Sequence, residues 1–135
     1  MIRRPPRSTQ GVSSAASDVY KRQTEVGNLT LVSNATTAQA VPTQGDIVMT
    51  YTDASGTATL NTDLKAYSSR DNGTTYTQMT LASEGTTGGH TIVTAHNVDI
   101  SSQPSGTSMR YKIETLNQSA GSKETRIQAV SLGWS

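Results

Sequence analysis

Apolar and polar residues alternate with a period of two in short segments along most of this chain, and no long segment develops a 3.6-residue apolar period. The clearest case is MRYKIETL, where Met109, Tyr111 and Ile113 point one way and Arg110, Lys112 and Glu114 the other. Such a pattern predicts a strand with one wet face. DIVMTYT (46–52) repeats it, with Ile47, Met49 and Tyr51 set against Val48 and Thr50. LKAYSSR (64–70) and YTQMTLA (76–82) flank a tight turn, and HTIVTAH (90–96), NVDI (97–100) and RIQAVSLGW (126–134) extend the series. NLTLV (28–32) adds a strand at the start. The turn-forming clusters DASGT, RDNGT, EGTTGG, QPSGT and NQSAGS separate these runs. Seven to eight short strands without an intervening helix predict an all-β fold, an antiparallel β-sandwich of jelly-roll-like type. ATTAQAVPTQG (35–45) is of low complexity and carries Pro42, so it reads as a linker or extended lead-in. The expected organisation is a lead-in strand and linker over 24–45 and a sandwich over 46–135.

The opening, MIRRPPRSTQGVSSAASDVYKRQ, breaks this pattern and concentrates Arg3, Arg4, Arg7, Lys21 and Arg22. It lacks the continuous apolar core of a secretory signal. Pro5 and Pro6 oppose the amphipathic helix of a transit peptide. DVYKRQ is what GAT GTG TAT AAG AGA CAG encodes, and so resembles a translated transposon end of the kind used in sequencing libraries. RRPPRST and SSAASD resemble translated adapter read-through. Residues 1–23 are therefore expected to be adapter-derived and disordered, to contribute nothing to the fold, and to stand where upstream protein sequence would precede Thr24.

Setting that segment aside changes the charge picture. The full chain has a formal charge of +1, whereas residues 24–135 carry six basic and nine acidic side chains, giving −3. Nucleic acid loses its electrostatic footing as a partner. With no cysteine there is neither a disulfide framework nor a thiolate metal site. No apolar run approaches the roughly 20 residues a bilayer-spanning helix needs, so no membrane insertion is expected. Phenylalanine is absent and the hydrophobic fraction is 33%. A core this thin is marginal for one small domain, and oligomerisation is a common remedy.

SRDNGTTY, residues 69–76, is the sharpest local pattern. Asn72-Gly73 suits the positive φ of a tight hairpin, and Asp71 can accept hydrogen bonds from nearby backbone amides. The spacing Ser69, Asp71, Gly73, Thr75, Tyr76 resembles the Asp-box of sialidases and other propeller proteins. In those families the box is a folding element remote from the catalytic site. The resemblance therefore implies a structural turn built from Ser69, Asp71, Asn72, Gly73, Thr75 and Tyr76.

Candidate chemistry elsewhere is thin. His90 and His96 share a face if they lie on one strand, but a metal site requires further ligands, and Asp99 falls on the opposite face. Asp53, Asp63, Asp71 and Glu84 sit in separate turns, the expected place for solvated or capping carboxylates. A calcium ion at Asp71 is the one metal worth weighing, although the D-x-[DN]-x-[DN]-G loop is absent. Asn28, Asn34, Asn72 and Asn117 open formal glycosylation sequons that composition alone accounts for. Trp134 is expected to seal the end of the core or an oligomer contact, ahead of stacking on a sugar. The reading is of a non-enzyme, with no catalytic residue, metal or cofactor assigned. The loop Thr86, Thr87, Gly88, Gly89, His90 is the candidate binding surface, since glycines let a ligand approach the backbone closely.

LVSNATTAQAVPTQGDIVMTYTD, AYSSRDNGTTYTQ, EGTTGGHTIVTAH, QPSGTSMRYKIETLNQS and the ending TRIQAVSLGWS together resemble a domain of tail-fibre and tail-associated structural proteins of environmental, largely marine, bacteriophages. The resemblance covers about Asn28 to Ser135. It implies a virion structural or adhesion module at the C-terminus of a tail protein, attaching to host cell-surface glycan or protein. It also implies a homo-oligomer, by likeness a trimer, located in the virion tail and assembled in the host cytoplasm. Adapter sequence at the front fits a metagenomic origin. The alternative expectation is an accessory carbohydrate-binding module of a carbohydrate-active enzyme whose catalytic part lies upstream.

Overall fold

The computed structural model describes residues 27–135; residues 1–23, read above as adapter-derived, lie outside that range. The alternating segments form strands β1 (Leu29–Val32), β2 (Thr36–Thr37), β3 (Gln44–Ser55), β4 (Leu64–Ser69), β5 (Thr77–Met79), β6 (Ala82–Thr87), β7 (His90–Asp99), β8 (Ser108–Thr115) and β9 (Glu124–Trp134). They build two antiparallel sheets. The first has the order β9-β3-β7-β6. The second has the order β1-β8-β4-β5, with β2 also pairing β8.

The period of two explains which residues meet between the sheets. Ile47 and Met49 of β3 and Val93 and Ala95 of β7 come from the first sheet. Leu64 and Ala66 of β4, Met79 of β5 and Ile113 of β8 come from the second, and all are buried in one cluster. Each large aliphatic side chain removed from water contributes about 1.5–3 kcal/mol. A smaller cluster of Ala38, Ile100 and Met109, with Leu132 and Trp134 packed against it, closes one end. The all-β, two-sheet antiparallel arrangement expected from the alternation is therefore present.

Three details differ from the sequence reading. Nine strands rather than seven to eight are found among the described residues. The added ones are the two-residue β2 and β6, which occupies ground read as the turn cluster EGTTGG. Every residue of β6 is exposed, so it carries no apolar alternation by which a pattern search would find it. A bulge between Ser83 and Gly85 disrupts its periodicity further. HTIVTAH and NVDI are one continuous strand, β7, interrupted only by a register shift where Asn97 takes φ 55°. Residues 35–45, expected as a linker or extended lead-in, are packed against the sandwich rather than free of it: Thr36 and Thr37 pair with Met109 and Ser108, and Ala38 and Pro42 are buried.

Candidate functional site

The Asp-box-like segment connects β4 to β5, whose register pairs Ala66 with Met79 and Ser68 with Thr77. Asn72 and Gly73 take φ 63° and 86°, the left-handed pair that such a turn requires. The Ser69 hydroxyl donates to Asp71 Oδ1 at 2.7 Å and accepts from Gly73 N–H at 2.9 Å. Asp71 Oδ1 also accepts from Thr75 N–H at 2.8 Å. Burial by itself would raise the Asp71 pKa, but the bonds from Thr75 and Ser69 outweigh it and hold the carboxyl below its usual range. Tyr76 lies beneath the turn, its hydroxyl 3.0 Å from where a Cβ on Gly73 would stand.

Between Ser69 and Asp71, Arg70 is 94% buried (6% exposed) and turned away from solvent. Its Nη1 donates to Pro42 O at 2.7 Å, Nη2 to Ser101 O at 2.9 Å and to Gln103 O, and Nε to Pro104 O at 3.2 Å. Gln103 reciprocates, accepting from Arg70 N–H at 2.8 Å and donating to Ser68 O at 2.9 Å. The guanidinium thus pins residues 42 and 101–104 to the hairpin. Its five-donor fork fits a cage of carbonyls, where a lysine would bring one point charge. Arg70 falls between the positions that define the box spacing, and nothing local signals that its partners lie about 30 residues away on either side.

The outward face of the second sheet carries the densest cluster of charged and aromatic groups. On β8 the wet-face residues are Arg110, Lys112 and Glu114, and the register sets Tyr67 of β4 opposite Lys112 and Lys65 opposite Glu114. Lys112 Nζ sits 4.5 Å from the centre of the Tyr67 ring and 4.6 Å from that of Tyr76, and the two rings meet edge to face at 6.5 Å. Tyr67 donates its hydroxyl to Glu114 Oε1 at 2.8 Å, and Lys112 Nζ lies 3.9 Å from Glu114 Oε2. Burial and the carboxylate push Tyr67 up to about 12. Arg110 is fixed by Asn72 Oδ1 at 2.9 Å and Ser33 O at 2.9 Å. The alternation in MRYKIETL gives the outward face of Arg110, Lys112 and Glu114. The cross-strand register, which brings Tyr67 to Lys112, has no signal in either segment alone.

The candidate binding loop is divided by the fold. Thr86 and Thr87 end β6, Gly88 and Gly89 form the two-residue tip with φ 55° and 85°, and His90 begins β7. His90 Nδ1 lies 2.7 Å from Thr52 Oγ1 of the neighbouring β3. His96 points to the same face of β7 but, six residues along a strand, stands roughly 20 Å from His90. Its near neighbour is Asp46 of β3 at 3.8 Å, a cross-strand partner that spacing within the segment does not reveal.

The carboxylates expected in separate turns serve separate local tasks, and two of them, Asp53 and Glu84, lie within strands β3 and β6 because sheet pairing runs on through the DASGT and EGTTGG clusters. Asp53 accepts from Ala58 N–H at 3.2 Å, and Glu84 from Thr94 Oγ1 at 2.7 Å. Asp63 is a buried junction: Thr59 N–H, Asn117 Nδ2 and Lys123 Nζ donate to it at 2.8, 2.6 and 2.6 Å. The Lys123 bond, with those from Thr59 and Asn117, holds its pKa far below the ordinary carboxylate range. Among the described residues no group of three or more His, Asp or Glu side chains is placed to hold a metal ion. No helix of the described residues is long and apolar enough to cross a membrane.

Trp134 lines two cavities at the end of the sandwich. One, of about 420 Å³, is shared with Ala38, Val41 and Pro42. The other, of about 250 Å³, is shared with Met109, Tyr111 and Leu132. Comparison of the chain with protein-family models, curated proteins and solved structures finds no match.

Proposed function

We propose that this chain is a non-catalytic structural and adhesion module of a bacteriophage tail protein, forming part of a virion fibre and presenting a surface to host glycan or protein. The observation that carries the reading is how the buried charged side chains are used. Arg70 ties two loop segments to one hairpin through four backbone carbonyls, and Asp63 joins the 59–63 and 117–123 turns. Charged groups committed to bracing loops suit a rigid display scaffold. The resemblance of the segments from LVSNATTAQAVP to TRIQAVSLGWS to tail-fibre proteins supports the specific reading within that class. A jelly-roll-like connectivity belongs to the same reading, supported by a chain that passes repeatedly between the sheets, as from β3 to β4, β5 to β6 and β7 to β8.

The loop Thr86–His90 is one display surface in this reading, because its glycine tip leaves the backbone open to a ligand. Glycan arrays and adsorption of the full chain to bacterial cells are the test. Binding to either supports adhesion; uniform failure of the assembled oligomer to bind leaves only the scaffolding role. Measurable glycoside turnover by the chain would contradict the non-catalytic assignment.

A second reading, an accessory carbohydrate-binding module of a carbohydrate-active enzyme, is favoured by the paired tyrosines on the outer face of the second sheet. Coding sequence upstream of Thr24 separates the two. A catalytic domain there supports the enzyme; fibrous repeats or other virion genes support the tail protein.

A further inference from the structure

The described part of the chain is acidic overall, yet its cations are unevenly placed. Of Lys65, Arg70, Arg110, Lys112, Lys123 and Arg126, three lie on one surface, the outward face of the second sheet. Arg70 is enclosed by carbonyls and Lys123 is paired with Asp63, which leaves Arg126 as the remaining exposed cation. Against Lys65, Arg110 and Lys112 stand two carboxylates: Glu114 on the same face, bonded to Tyr67 and 3.9 Å from Lys112, and Asp71 in the adjoining turn, near Tyr76 and bonded to Ser69 and Thr75.

These groups are also held in place. Lys112 rests between two rings and Arg110 is fixed by Asn72 and Ser33. A ligand meeting them loses little side-chain entropy, which is where affinity is usually eroded. Tyr67, Tyr76, Lys112 and Arg110 are only half-buried. The rings supply apolar area for the C–H faces of sugar rings, and the cations supply charge-assisted donors.

Resting on the adhesion reading above, we propose that the outward face of β4 and β8 binds an acidic polysaccharide, with Lys65, Arg110 and Lys112 receiving its anionic groups and Tyr67 and Tyr76 packing against its rings. Spacing favours a polysaccharide over a nucleic acid. Alternate residues on a strand stand roughly 6.6 Å apart, which suits one anion per sugar ring. Duplex DNA carries one charge per roughly 1.7 Å of axis and calls for a denser basic surface; a single strand is less dense and is decided by the test. This face is then a glycan-contacting surface separate from the Thr86–His90 loop.

The test measures binding of the full chain to polygalacturonate, dextran sulfate and neutral dextran, with single-stranded DNA as a further polyanion. Polygalacturonate and dextran sulfate separate a carboxylate from a sulfate as the anion. The expected result is binding to at least one of these two that weakens about tenfold between low and physiological salt as charges are screened. Binding to neutral dextran should be at least about tenfold weaker. Lys112→Gln and Lys65→Gln are each expected to weaken the anionic complex about threefold or more, and Arg126→Gln, on β9, less than twofold. Lys65 stands opposite Glu114 and takes no part in the Lys112–tyrosine contacts, so its variant probes the surface even if Lys112→Gln disturbs the ring cluster. Equal affinity for neutral dextran or DNA, or indifference to both lysine variants, would overturn the proposal. Cell adsorption by a chain that ignores both anionic polymers overturns it too, while leaving the adhesion reading standing.

Discussion

Two buried charges show how single side chains hold this molecule's loops. Replacing Arg70 with Met fills similar space but leaves the carbonyls of Pro42, Ser101, Gln103 and Pro104 without their donor. An unsatisfied buried polar group costs about 1–3 kcal/mol, so Arg70→Met is expected to lower stability by at least about 3 kcal/mol in urea denaturation. Arg70→Lys should recover only part of the loss, because an ammonium cannot span the same fork. At Asp63 the prediction concerns pH. The carboxyl's folded pKa lies well below its unfolded value, so its contribution is fully present above the ordinary carboxylate range and is lost as pH falls through the folded value. Stability should therefore decline progressively below about pH 4. Asp63→Asn should flatten that decline and cost about 1.5–3 kcal/mol near neutrality, the worth of a charged hydrogen bond. Urea midpoints of both proteins across pH 2–7 (on the order of a dozen points) provide the check. An equally steep acid decline in Asp63→Asn would assign it to other groups.

Among the elements, the hairpin linking β4 and β5 depends on its left-handed turn. Gly73→Val places a β-branched side chain at φ 86° with its Cβ against the Tyr76 hydroxyl. The expected loss is about 1–2 kcal/mol, read as a lowered thermal midpoint; a neutral result would mean that the segment does not depend on this turn. This hairpin was legible in the sequence because turn and strands announce themselves within a dozen residues. The strand β8 was legible for the same reason, through the alternation of Met109, Tyr111 and Ile113 with Arg110, Lys112 and Glu114. β6 was not, because an edge strand exposed on both faces has no reason to alternate, and Gly85 at its bulge resembles a turn residue. The ring–cation cluster was half legible. The strand β8 declared the outward direction of Lys112, but its meeting with Tyr67 depends on a register between β4 and β8 that is set by packing across more than 40 residues.

For the whole molecule, the margin of the core bears on assembly. Leu29 and Leu31 of β1 share a face with buried Thr115 and Ile113, yet remain 47% and 37% exposed, since the opposite sheet does not cover them. Leu132 and Trp134 of β9 are likewise only partly buried. A symmetry mate covering these side chains would complete their burial, and we expect sedimentation at high micromolar concentration to find an oligomer, with a trimer the expected order by resemblance to fibre proteins. A stable monomer would defeat that expectation for this chain. The strand order carries a consequence for how fast the molecule forms. Backbone bonds join Gln44 to Ser135, β1 pairs with β8, and both sheets are thereby completed by partners some 80–90 residues apart. Loop closure must precede nearly all of the reward from such contacts, which places an all-β domain of this kind in the milliseconds-to-seconds range of refolding. The local hairpin between β6 and β7 gains little by forming first, since it buries almost nothing on its own side. Stopped-flow refolding should therefore be slow despite the modest chain length, and substitutions at the tip, Gly88 and Gly89, should alter unfolding more than refolding.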